Sequence, residues 1–171
     1  APGDADGEAV PVEMVSRAAV VSMESALPNA PELMRATIVA IDGIPGTQVE
    51  GISPLYHVMD PDGGSANSAV LALRTTMSLG QLSNMLQAMH ETHEGAVKLA
   101  VVDMERPAPR DRERLGEAHR AAARAAVLSP WMDMDPNATL DGDPLAFLLA
   151  SAPDAPFVGM QSDNWIIGGA R

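Results

Sequence analysis

An α+β fold, a two-layer sandwich with a mixed β-sheet and helices packed mainly on one face, is what the 171-residue sequence predicts. Three observations predict it. Helix-like and strand-like apolar patterns are interleaved along the chain and not gathered into separate blocks. The apolar fraction of 46% is that of a globular domain, at a length that buries a core without staples. Finally, eleven Met stand beside no Cys and only five aromatic residues, Tyr56, Trp131, Phe147, Phe157 and Trp165. Thioether and small aliphatic side chains therefore fill the interior, packing well without imposing one geometry.

Each element follows in order. Residues 1–11 read as a flexible acidic segment, the start of a mature exported chain from which a signal or anchor has been removed. The competing reading is a cytosolic protein that has lost its initiator Met. Val12, Val15, Ala19, Val20, Met23 and Leu27 recur at helical spacing and predict a helix over 12–27, ended by Pro28-Asn29. The β-branched run Ala36–Ile41 predicts a strand, followed by short strands over Thr47–Glu50 and Pro54–Met59. Asp60-Pro61-Asp62-Gly63-Gly64 is a turn, and Ala69–Thr75 a further strand.

Ser78 opens a helix with a capping box completed by Gln81, its buried stripe being Leu79, Leu82, Met85, Leu86 and Met89, its end Gly95. Val97–Met104 is apolar enough for a central strand. An Arg-rich helix spans Arg110–Leu128, broken by Ser129-Pro130; Trp131–Pro136 reads as irregular. Asp143-Pro144 starts a short helix, and Phe157–Met160 and Trp165–Gly168 are closing strands. A core domain over 12–128 thus carries an aromatic-containing segment, 129–171, docked on it.

Composition restricts function. The net charge of −12 disfavours nucleic acid and anionic lipid surfaces. Absence of Cys excludes disulfides, thiolate metal sites and thiol nucleophiles. No run approaches the ~20 apolar residues that cross a bilayer, so no membrane insertion is expected. Lys98 is the single lysine, and scarce Lys, missing Cys and the acidic start favour a periplasmic or secreted bacterial protein over a cytoplasmic one.

Candidate chemistry is sparse. His90 and His93, three residues apart, miss the four-residue spacing of a zinc-protease helix. A soft-metal set is the better alternative: His57 with Met59, His90 with His93, and Met132 with Met134, since thioether and imidazole groups suit cuprous ion. Trp131-Met132-Asp133-Met134 resembles the Trp-and-Met sites of periplasmic copper chaperones. Asp60, Asp62 and Asp103 lie near predicted strand ends, where acid–base pairs sit. No nucleophile elbow, phosphate loop or dinucleotide fingerprint occurs, so no catalytic residue and no cofactor is assigned. Arg106, Arg110, Arg112, Arg114, Arg120 and Arg124, interleaved with acids, form the only basic region, a solvated face or a dock for an acidic partner surface. The layout from Ser78 through Ala123 resembles the periplasmic domain of ExbD and TolR proteins, and no functional residue comes with that resemblance.

The expected function is a non-enzymatic binding or assembly domain working through protein–protein contacts, as a homo-oligomer or with a protein partner. The alternatives are cuprous binding by the Met/His set, and a small hydrolase or isomerase with a dispersed acid–base site.

Overall fold

The computed structural model describes residues 15–166. The expected flexible start and the last two residues of the expected closing strand lie outside that range. The expected α+β class holds. The chain runs β1 (Arg17–Ser25), α1 (Ala30–Asp42), β2 (Thr47–Ile52), β3 (Leu55–Met59), β4 (Ser65–Thr75), α2 (Leu79–Thr92) and β5 (Lys98–Met104). It continues with α3 (Arg112–Ala122), α4 (Ala125–Met134), the two-residue strands β6 (Thr139–Leu140) and β7 (Asp143–Pro144), α5 (Leu145–Ala150) and β8 (Val158–Ser162). The main sheet has the order β5-β1-β4-β3-β8, with β2 also paired to β4. Each of its ladders is antiparallel.

Two expectations at the start are corrected. Residues 17–25 are a strand and not the end of a helix, and every second residue is buried from Arg17 through Ala19, Val21 and Met23 to Ser25. Ala19 and Met23, four apart, share a face in a helix and in a strand alike, so the helical stripe was half of a period-2 pattern. Conversely, Ala36–Ile41 belongs to α1 and not to a strand. Ala30, Met34, Thr37, Ile38 and Ile41 are buried at helical spacing, whereas Val39 is 72% exposed. The β-branched residues cost only a few tenths of a kcal/mol each, roughly, in a helix, and the Thr37 hydroxyl is satisfied by donating to Leu33 O at 2.8 Å.

Other elements match expectation. Asp60 N donates to Gly64 O at 2.7 Å and Gly63 N to Asp60 O at 2.8 Å, closing the β3–β4 hairpin, with Gly63 at φ +95° where a side chain would be strained. Ser78 caps α2 through both bonds of a capping box.

Helices cover both faces. α1 and α2 share one core with Val21, Met23, Leu71 and Leu73. α3, α4 and α5 share a second with Val70, Val102 and Trp131 on the reverse face. Methionine fills both: Met23, Met34 and Met104 are buried, and Met132 and Met134 pack against the second cluster.

The third correction concerns position. β5 lies at the edge of the sheet and not at its centre. The fourth is that the Arg-rich helix is interrupted at Ala123-Arg124 and then resumes through Pro130 to Met134. Buried Ala126, Val127, Leu128 and Trp131 hold α4 despite the proline, so packing outweighs the lost backbone bond. The Trp131–Met134 stretch expected to be irregular is therefore helical.

Candidate functional site

The interruption between α3 and α4 builds the site. Arg124 has extended backbone, φ −141° and ψ 154°, which turns its side chain back over β1. There its guanidinium donates to both carboxylate oxygens of Glu24, at 2.7 Å and 3.4 Å. The hydrogen bond to Glu24, against the opposing effect of burial and with the charge of that carboxylate added, holds the Arg124 proton more firmly than usual. The break is sealed from a distance: the Asp154 carboxylate accepts from Ala125 N at 2.7 Å and Ala126 N at 3.1 Å, satisfying the first free amides of α4.

Arg124 stands where three cavities meet. One, of about 530 Å³, is walled by Val58, Met59, Pro61, Ala66 and Pro153, with the carboxylates of Glu24, Asp60 and Asp154 and the Arg124 guanidinium at its polar side. The other two, of about 400 and 360 Å³, share Ser22, Gln87, Leu99, Ala100 and Arg124 and together form a cleft along the β1–β5 edge between α2 and α3. Lys98 and His90 line its outer part, and Arg114 and Glu117 its α3 side. Strand register explains the polar floor. Ser22 pairs with Ala100 and Glu24 with Lys98, on the face opposite Val21 and Met23. A bulge then leaves Val102 unmatched between Val101 and Asp103. Asp103 so faces α3, where its carboxylate meets His119 Nε2 at 2.9 Å.

The residues singled out from sequence are spread over three places. His57 and Met59 are on β3, His90 and His93 at the end of α2, and Met132 and Met134 at the end of α4. Only Met59 and His90 line the cavities around Arg124, and they line different ones. His90 Nδ1 is hydrogen-bonded to Val97 O at 2.8 Å. From β3 it is Tyr56, not His57, that reaches α4, donating to Asp133 Oδ2 at 2.7 Å. Of the acids, Asp60 lines the 530 Å³ cavity, Asp62 lies in the hairpin turn and Asp103 is engaged by His119. Glu24, Ser22 and Asp154 carry no signal in the sequence. Arg124 was visible only as one member of a charged helix, and its partners are 100 and 30 residues away.

A divalent cation, which is held by several oxygen ligands with carboxylates among them, does not fit this donor set. Among the described residues no group of three or more His, Asp and Glu could hold a metal ion. Glu24 is taken by Arg124 and Asp103 by His119, while β5 presents Lys98 and Ala100 to the cleft.

No family model matches the sequence, and no curated protein matches it. Solved structures do share the fold. Plasmodium falciparum HPPK-DHPS in a double-mutant form, solved with pterin and p-hydroxybenzoate, aligns with a TM-score of 0.65 at 8% identity over 85% of this chain and 47% of that one. The wild-type form with SDX-DHP gives 0.60 at 8% identity over 82% and 46%, and the wild-type form with pteroate 0.61 at 8% over 80% and 44%. The chain thus spans less than half of those proteins, and at this identity the likeness establishes the fold.

These are folate-pathway enzymes. That finding overturns the expectation of a non-enzymatic binding or assembly domain. Among the described residues no helix is long and apolar enough to cross a membrane.

Proposed function

We propose that this chain is an enzyme domain that takes a pterin-class substrate in the 530 Å³ groove beside Arg124. The observation that carries the reading is the position of Arg124, held by two hydrogen bonds to Glu24 at the junction of three cavities. A pterin is a flat heterobicycle with amide-type N–H and amino donors along one edge and carbonyl and ring-nitrogen acceptors. Val58, Met59 and Pro153 offer apolar walls to its faces, Asp60 a carboxylate to its donors, and the planar guanidinium of Arg124 a stacking and donating surface. The fold likeness to HPPK-DHPS, one structure of which holds pterin, supports the same reading.

Titration of pterin into the protein, read by quenching of pterin fluorescence, is expected to show saturable one-to-one binding. Arg124→Ala is expected to weaken it about tenfold or more, the scale of a lost charged hydrogen bond. Absence of saturation, or a variant that binds like the parent, overturns the assignment.

A further inference from the structure

The cleft on the other side of Arg124 is chemically unlike the groove. The chain carries a net charge of −12 and a single lysine, yet that lysine lines this cleft together with two of the ten arginines, Arg114 and Arg124. Neutral donors accompany them: the Ser22 and Ser83 hydroxyls and the Gln87 amide. The acids present are Glu24, already bonded to Arg124, and Glu117 on α3. Lys98 stands directly across from Glu24 in the β1–β5 ladder, so β5 offers this end of the cleft an ammonium and no carboxylate. An ammonium there attracts phosphate oxygens itself and repels a divalent cation at the same time.

We propose that Lys98 takes the place of a divalent cation in this cleft, and that with Arg124 and Arg114 it binds the diphosphate group of a phosphorylated ligand directly, without Mg²⁺. This rests on the enzymatic reading above but not on pterin occupancy, because the groove and the cleft are on opposite sides of Arg124. The apolar continuation of the cleft past Leu99 and Val101 to Val127 leaves room for the organic part of such a ligand. Free diphosphate and a nucleoside diphosphate share the chemistry at the cationic end.

Isothermal titration with inorganic pyrophosphate and, separately, ADP tests it, each in EDTA and each in excess MgCl₂. Binding of at least one probe in EDTA is expected, with no gain on adding Mg²⁺. Lys98→Glu is expected to abolish it and Lys98→Arg to retain it, with pterin titration unchanged in both variants. Lys98 is an exposed residue of an edge strand, so both variants are expected to melt like the parent. Binding that appears only with Mg²⁺, binding unaffected by Lys98→Glu, or no binding of either probe overturns the proposal. Pyrophosphate failure with pterin binding intact removes this inference alone; loss of pterin binding with pyrophosphate intact removes only the substrate assignment.

Discussion

Single side chains decide the local chemistry here, and Tyr56 shows how far that can be measured. It is the only tyrosine of the chain. Burial against α4, then the hydrogen bond and the charge of Asp133, raise its pKa well above the ordinary value of about 10. The folded state therefore keeps a proton that the unfolded chain releases near pH 10. The stabilisation is complete below that pH and is lost as pH rises towards the folded value. Tyrosinate absorbance near 295 nm is expected to stay flat through pH 11 in the folded protein and to rise once it unfolds; Asp133→Asn moves the onset down. An onset near pH 10 with the fold intact contradicts the contact. Tyr56 also shows why sequence reading picked its neighbour. His57 has the more conspicuous chemistry, but strand alternation gives the α4 face to positions 56 and 58, and the register of β3 is not encoded in any local motif.

Among the elements, legibility followed the range of the interactions that define them. The capping box of α2, the Asp60–Gly64 turn and the strands β2, β3 and β4 carry their signals within a few residues, and all were readable. β1 and α1 were exchanged because their decisive feature is which sheet or helix they pack on, and spacings of four satisfy both periods. The α3–α4 break was illegible for a different reason. Ala121-Ala122-Ala123-Arg124-Ala125-Ala126 contains no helix breaker, and the cap arrives from Asp154, 29 residues from Ala125. Removing that cap with Asp154→Ala is expected to destabilise the protein by about 1–2 kcal/mol, as for other N-cap losses. Chemical denaturation measures it, and a variant as stable as the parent sinks the capping role. Pro130, readable as a breaker, breaks nothing because the residues around it are buried.

Across the whole molecule, the α+β class followed from the interleaving of patterns, but the site did not, since it is assembled from β1, the β3–β4 hairpin, β5, α2, α3 and the segment before β8. The chain after β8 is tied down twice as well. Trp165 Nε1 donates to Ser53 O at 2.9 Å, and Arg35 donates to Trp165 O at 3.0 Å. The aromatic content of the last forty residues hinted at such docking, whereas nothing local told which strand would receive it. Asp154 has one consequence that reaches through the entire fold. The carboxylate that starts α4 also forms part of the wall of the 530 Å³ cavity. Reciprocity of binding energies then requires that whatever an occupant touching Asp154 does to the anchoring of α4, that anchoring does in equal measure to the occupant's affinity. Amide exchange at Ala125 and Ala126 is expected to slow in step with pterin saturation, and exchange indifferent to the titration denies the coupling.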